Sequence, residues 1–351
     1  VKAWQYPEFG GVEKLALVDI ARPQPGAGDV LVRVVYCGVN PIDLSTMRGR
    51  FAALSLPHTP GTEVAGIVEE LGAGVTGLAL GQPVVVAFRL FCDHCTNCLR
   101  GREIDCLTML AAPTPPIWGV LTPGGFAEYA LVPARNLVAI PPDLPDDQAC
   151  SAGVDGATAY HLVDRAGVAA GERVLVVGAT GGVGAYAVQF AALRGATVWA
   201  LGRGPEAAAR LRIWGAAEVL DRDKDDIPAR IQELSDGYGV DVALDPLGAA
   251  TWPLSTGALA QGGRYATCGV LTGPQVTLDL NRLYNRQQQI IGATGASRGD
   301  LAAALTALAA GRVGAPIWRT YLLDEAPAAL TALGEPGRIG KVLVAVGAAL
   351  D

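Results

Sequence analysis

The chain has 351 residues, half of them hydrophobic, with 45 glycines, 17% charged residues and a net charge of −7. That length suits two domains with sizeable cores, and an acidic chain with no basic patch argues against a nucleic-acid partner. No uninterrupted apolar run is long enough to span a bilayer and VKAWQYPEFGG lacks signal-peptide form, so a cytoplasmic protein with no membrane partner is expected.

Residues 1–39 read as short strands broken by Pro and Gly: KAWQY, LALVDI and, after RPQPGAGD, VLVRVVYCGV. PGTEVAGIVEELG (60–72) and QPVVVAF (82–88) continue the pattern, which predicts an irregular antiparallel β domain. Over residues 91–106 come Cys92, Cys95, Cys98 and Cys106, at spacings of three, three and eight. Four soft thiolates on a loop with little hydrophobicity of its own predict one tetrahedral structural zinc (Zn2+) per chain, closed to water and substrate. Such crowding fits a metal in a reducing compartment better than a disulfide framework. His94 lies inside the loop and is not needed as a ligand. Cys37, Cys150 and Cys268 read as small buried packing residues.

Pro141-Pro142-Asp143 is a stiff lead-in to a helix carrying Thr158 and Tyr160. Val174–Val177 then reads as a strand buried on both faces. It meets a glycine cluster, Gly178, Gly181, Gly182 and Gly184, and passes into a helix closed by Gly195. A second strand, Thr197–Leu201, follows. Strand, glycine turn and helix predict the first unit of a dinucleotide fold, with Thr180, Gly181, Gly182 and Val183 at the pyrophosphate. The second strand ends at Gly202-Arg203, where an NAD enzyme wants an acid for the ribose hydroxyls. Gly202 leaves room and Arg203 supplies a cation for a 2′-phosphate, so NADP(H) is expected.

Strands at EVLD, VDVALD and GGRYATCG alternate with helical segments, predicting an α/β fold with a doubly wound parallel sheet. Gly269 and Val270 end such a strand, where ligands lie in these folds. RQQQIIGATG (286–295), which contains Thr294, reads as the last strand of that sheet. DLAAALTALAAG reads as a helix, and Gly340-Lys341 opens a final strand.

The strand-rich first half, the CxxCxxCx7C loop and ATGGVG together resemble the medium-chain dehydrogenase/reductase superfamily over essentially the whole chain. The cysteine loop resembles that of zinc-containing alcohol dehydrogenases in particular. The resemblance implies a GroES-like, mainly antiparallel β catalytic domain at 1–153 and a Rossmann NADP(H)-binding domain at 154–292. Residues 293–351 would return to the catalytic domain. It also implies an active site in the cleft between domains, Thr158 beside the nicotinamide and Lys341 facing the cofactor. Pairing of the 286–295 strand with its counterpart implies a homodimer or homotetramer.

The likeness breaks at the catalytic metal. The family holds a second zinc through a cysteine in CGxCxSD, a histidine in PGHExxG and a later cysteine or acid. Here the first motif reads Cys37-Gly-Val-Asn40-Pro-Ile42-Asp43 and the second Pro60-Gly-Thr62-Glu63. Aligning on Thr158-Ala-Tyr160 puts Val154 at the third position. Asn and Thr are poor zinc ligands and Val is none.

Asn40-Pro-Ile-Asp43 instead resembles the zinc-free quinone oxidoreductase and enone reductase branch. That branch often has a tyrosine two residues after the Asp; this chain has Ser45, which leaves the proton donor open. Asn40 is expected to hydrogen-bond a substrate carbonyl or the nicotinamide ribose, with Asp43 orienting it and Thr62 and Ser45 in the same site. The alternative for Asn40 and Asp43 is a loop-stabilising turn. The expected activity is hydride transfer from NADPH to a small conjugated carbonyl or quinone, whose developing enolate needs only hydrogen-bond donors. Two other readings stand beside it. One is an alcohol or ketone enzyme using protein donors alone or a zinc relocated among Cys37, His58, Glu63, Cys150 and Asp155. The other is a non-catalytic NADPH-binding sensor.

Overall fold

The computed structural model describes residues 1–51, 54–112 and 116–347. Its first strands are β1 (Lys2–Gln5), β2 (Ala16–Asp19), β3 (Asp29–Val39), β4 (Glu63–Leu71), β5 (Pro83–Val86), β6 (Tyr129–Pro133) and β7 (Leu137–Ala139). Then come β8 (Arg173–Val176), β9 (Thr197–Gly202), β10 (Ala216–Asp221), β11 (Val240–Asp245), β12 (Leu259–Thr267), β13 (Gln289–Gly292), β14 (Ile317–Leu322) and β15 (Lys341–Ala345). The helices are α1 (Pro41–Met47), α2 (Leu107–Leu110), α3 (Asp146–Ser151), α4 (Ala157–Arg165), α5 (Gly182–Leu193) and α6 (Gly204–Ile213). They continue with α7 (Ile227–Leu234), α8 (Trp252–Gly257), α9 (Leu280–Asn285), α10 (Arg298–Ala309) and α11 (Ala326–Ala332).

The chain divides into two compact units. The first joins Val1–Val154, Ala296–Ala309 and Ile317–Asp351; the second joins Asp155–Gly295 and Ala310–Pro316. In the first unit a seven-stranded sheet runs β14-β15-β3-β4-β5-β7, with β6 also paired to β3. Strand β3 is the centre. Its run of Val, Leu, Tyr and Cys is buried along most of its length, as suits a strand with neighbours on both edges and cover on both faces. Trp118, Phe126 and Tyr6 fill the core beside the valines of β3, β4 and β5, and the Trp118 indole N–H donates to the Leu131 carbonyl at 2.9 Å. Helix α1 starts directly after β3 because Pro41 takes the first helical position, where its missing N–H costs nothing. Neither α1 nor β14 was legible in the sequence pattern.

In the second unit six strands, all parallel, run β10-β9-β8-β11-β12-β13. This is the doubly wound sheet expected. Strand order reverses between β8 and β11, the place where such sheets open a crevice for ligands at their carboxyl edge. Helix α5 is apolar almost all round and correspondingly buried, so it packs as an interior element rather than an amphipathic one.

Candidate active site and metal centre

The sulfur atoms of Cys92, Cys95, Cys98 and Cys106 lie within 4.8 Å of one another. Backbone N–H groups already point at them: Cys95 N–H donates to the Cys92 sulfur and Cys92 N–H to the Cys106 sulfur, each at 3.3 Å. The Thr108 hydroxyl and backbone N–H groups hold the Cys92 thiol down at about 5, whereas burial pushes Cys98 up to about 12. A soft, closed, four-thiol set of this size fits a tetrahedral zinc, and these four residues would hold it. Apart from them, Phe91 and Met109 are the apolar side chains packed in the lobe among the described residues. His94 is exposed, its ring nitrogen at 2.8 Å from the Cys92 carbonyl. Arg298 of α10 clamps the lobe from outside, stacked over Phe91 at 4.8 Å and paired with Glu103 at 2.8 Å.

A second polar cluster forms where β15, β3 and β4 meet. Register does the work: Gly38 of β3 pairs with Glu63 of β4, and Val39 pairs with Val342 of β15. Asn40, Glu63 and Lys341 therefore converge at one end of three adjacent strands. Glu63 can lie across β3 because residue 38 is glycine; a Cβ there would sit 2.1 Å from a carboxylate oxygen of Glu63. The Lys341 ammonium bonds that carboxylate and donates to Asn40 Oδ1 at 2.7 Å. Asn40 Nδ2 donates to Glu63 Oε2 at 3.0 Å and, at 3.4 Å, to Thr62 Oγ1. Val154 N–H closes the set on Glu63 Oε1 at 2.6 Å. All three charged or amide side chains are at most 2% exposed.

Asp43 acts on backbone and on the Thr62 hydroxyl. It accepts from Asn40 N–H at 2.8 Å, Thr62 N–H at 3.2 Å and Gly61 N–H at 3.3 Å, tying the start of α1 to the loop before β4. Burial nevertheless raises its carboxyl to about 6. The side chain of Asn40 is thus oriented by Lys341 and Glu63, while Asp43 fixes its main chain. The Ser45 hydroxyl donates to the Pro41 carbonyl at 3.0 Å, inside α1.

Does this cluster fit a catalytic zinc? The three positions at which the sequence leads one to expect its ligands, Asn40, Thr62 and Val154, supply an amide, a hydroxyl and an aliphatic side chain, and the Lys341 ammonium sits bonded to the first. Burial pushes the Cys37 and Cys150 thiols well up, away from the thiolate form a metal requires. His58 spends a ring nitrogen on the Gly119 carbonyl at 3.1 Å. Asp155 belongs to the second unit, where a Cβ at Gly182 would meet its carboxylate at 1.7 Å. Among the described residues the four-cysteine group is the one cluster of three or more metal-binding side chains. The donor set here does not fit zinc.

The cofactor positions expected in the second unit gather along one edge of its sheet. The Gly178–Gly184 turn follows β8, Arg203 follows β9, Gly269 and Val270 follow β12, and Thr294 follows β13. Gly181 is the N-cap of α5, so the free N–H groups of Gly182 and Val183 stand at the helix start. These residues fit a dinucleotide phosphate. Gly202 has a packing duty as well, since a Cβ there would come within 2.9 Å of Leu211. Arg203 is exposed and 3.4 Å from Asp223. Thr158 is buried on α4.

Comparison with known proteins now bears on these two units. Residues 26–142 match the alcohol dehydrogenase GroES-like domain and residues 182–310 the zinc-binding dehydrogenase domain. A thermostable alcohol dehydrogenase from Pyrobaculum aerophilum, solved with cobalt and zinc bound, is 44% identical over 98% of this chain and 99% of its own, with a TM-score of 0.89. The chain belongs to the medium-chain dehydrogenase/reductase superfamily. A crotonyl-CoA reductase from Streptomyces collinus is 31% identical, covering 89% of this chain and 77% of its own length. A quinone oxidoreductase from Pseudomonas syringae pv. Tomato DC3000 is 27% identical over 98% of this chain and 99% of its own, with a TM-score of 0.82.

As a member of that superfamily the protein is an oxidoreductase with a four-cysteine lobe. Among the described residues no helix is long and apolar enough to cross a membrane. Two carboxylates that organise the sites escaped the sequence reading. Glu63 was visible only as a possible displaced metal ligand; the glycine at 38 was its signal, opposite it in register. Asp245, at the end of β11, accepts from the hydroxyls of Thr251 at 2.7 Å and Ser255 at 2.9 Å and shapes the loop after that strand. The spacing of those hydroxyl residues gave no such cue.

Proposed function

We propose that the protein is an NADP(H)-dependent reductase of small conjugated carbonyl compounds or quinones, with one structural zinc and no metal in the reaction centre. The supporting observation is the buried amide–carboxylate–ammonium cluster around Asn40: it supplies hydrogen bonds and fixed charge, and its one carboxylate is already held by Lys341, Asn40 and the Val154 N–H. A simple ketone or alcohol needs strong polarisation, whereas an enolate oxygen forming by conjugate addition is stabilised by hydrogen-bond donors alone. Crotonyl-CoA and quinones, named in two relatives, are compounds of this kind.

Bound NADPH supplies the hydride. The N–H groups of Gly182 and Val183 bind its pyrophosphate, and Arg203, released from Asp223, takes the 2′-phosphate. Thr158, Thr180, Gly269, Val270 and Thr294 complete that cradle. Residues 1–153 with 293–351 carry the reaction centre, where Asn40 and Thr62 are the polar contacts for substrate oxygen and Asp43 positions both. Ser45 stands two residues after Asp43, at the position where the resembling reductase branch often carries tyrosine. Strand β13, the last of its sheet and exposed at Ile290, is the edge on which a second subunit would pair, in a homodimer or homotetramer.

The test is NADPH oxidation with an enone, a crotonyl thioester, a quinone, a simple ketone and, in reverse, a secondary alcohol. Enone, thioester or quinone turnover should exceed that of ketone and alcohol by at least about tenfold in kcat/KM. Faster oxidation of the alcohol would favour the second reading, an alcohol dehydrogenase working with protein donors, for which the 44% identity to the Pyrobaculum enzyme speaks. Tight NADPH binding with no turnover of any of them would leave a binding protein.

A further inference from the structure

We infer that Lys341 and Glu63 are positioning residues for the reaction centre, acting through the carboxamide of Asn40; the inference rests on the reading of Asn40 and Thr62 as substrate contacts. Asparagine has a two-fold ambiguity, because its oxygen and nitrogen can exchange places by a half-turn. Here the neighbours remove it. An ammonium can only donate and a carboxylate can only accept, so Lys341 claims Oδ1 at 2.7 Å and Glu63 claims Nδ2 at 3.0 Å. The opposite flip would face N–H against N–H and oxygen against oxygen. With the flip settled, Nδ2 also reaches Thr62 Oγ1, so the hydroxyl accepts from Asn40 while it donates to Asp43, and its orientation is fixed from both sides.

The pair is built for this duty. Its partners come from two strands on opposite sides of β3, with 301 positions of sequence between Asn40 and Lys341. The Asn40 amide lies beside their direct ion pair and bonds both charges at once. Nor is Lys341 free to serve as a solvent-facing cofactor contact, since its side chain is 2% exposed and its nitrogen is engaged by Glu63 and Asn40.

Three variants test the assignment: Lys341→Met, Glu63→Gln and the double Lys341→Met/Glu63→Gln, which removes both charges together. A purely structural pair predicts that the double variant regains kcat as it regains its melting temperature. Positioning predicts that kcat of both the Lys341→Met and the double variant stays down by at least about tenfold, with the NADPH Kd within about twofold of the parent by fluorescence titration. Recovery of kcat in the double variant, or a loss carried wholly by the NADPH Kd, overturns the inference. A readout without turnover is the Asn40 side-chain NH2 pair in a nitrogen-15 spectrum, assigned through Asn40→Asp. It should be shifted from the bulk amides and protected from solvent exchange in the parent, and lose both properties in the double variant. If the parent reduces no conjugated compound, the proposed function fails while this spectrum still decides the role of Lys341; an unshifted, unprotected parent signal refutes it.

Discussion

The first unit carries two polar clusters that solve the same problem by opposite means. In the cysteine lobe four sulfurs crowd within 4.8 Å around a small apolar core, and several of them would repel as thiolates. In the Lys341–Glu63–Asn40 cluster the cation is part of the chain, and each oxygen of Glu63 has its donor. The lobe would therefore draw its cohesion from a supplied ion, while the inner cluster carries its own neutralising charge. A short loop with little core takes a metal cross-link; a strand junction under a full core can bury an ion pair provided every partner is present.

Removing the metal should have the largest effect. Structural zinc in small domains contributes about 10–16 kcal/mol, so chelation or Cys98→Ser should melt the lobe. Zinc per chain should fall from one to none, and limited proteolysis should cut between Cys92 and Cys106. A lobe that stays protease-resistant without metal would erase the difference between the clusters.

In the inner cluster the damage should depend on how many partners are removed. Glu63→Gln alone strands the Lys341 ammonium and should cost about 3–5 kcal/mol in urea unfolding. Lys341→Met alone strands the carboxylate and should cost a similar amount. The double variant should recover most of that loss, and an additive loss in the double would show that the two charges do not share one energy.

Asp43 sharpens the contrast through pH. Its folded carboxyl is raised by burial from 3.8 to about 6, so the neutral form lends stability that is complete below 3.8 and lost as pH rises through 6. The destabilisation caused by Asp43→Asn should therefore shrink by about 3 kcal/mol between about pH 3.5 and pH 7. A pH-independent difference would mean that this carboxyl ionises with its ordinary value.

The smallest effect belongs to the exposed pair of Arg203 with Asp223. Arg203→Ala should change folding stability by less than about 1 kcal/mol. It should weaken NADPH by about tenfold while leaving NADH nearly untouched, read by fluorescence titration. Equal weakening of both cofactors would remove Arg203 from the 2′-phosphate.

Local chemistry was legible in the sequence and long-range pairing was not. The cysteine spacings, the β8–glycine–α5 turn and the parallel sheet each announce themselves within a few tens of residues. Asn40, Thr62 and Val154 are likewise singled out by aligning short motifs. What those residues touch could not be read in this way. Lys341 reads as a strand-start lysine facing a cofactor, and only the pairing of β15 with β3 brings it to Asn40 and Glu63. Helix α1 was hidden because Asn-Pro-Ile-Asp looks like a turn until Asp43 is seen bonding the Asn40 N–H. Strand β14, IWRTYL, lacks turn signals of its own and takes its conformation from β15.

The position of β15 also sets an order of birth. Strand β3 leaves the ribosome early, yet the residue that neutralises its neighbour Glu63 is made about 300 residues later, which at ~5–20 residues per second is roughly 15–60 s. During that interval the growing chain must finish the whole parallel sheet of the second unit while one stretch of β3 still awaits its partner strand. An open strand edge of that kind is what a chaperone would shield. A nascent chain stalled before Lys341 would hold Asn40 and Glu63 side by side without their cation.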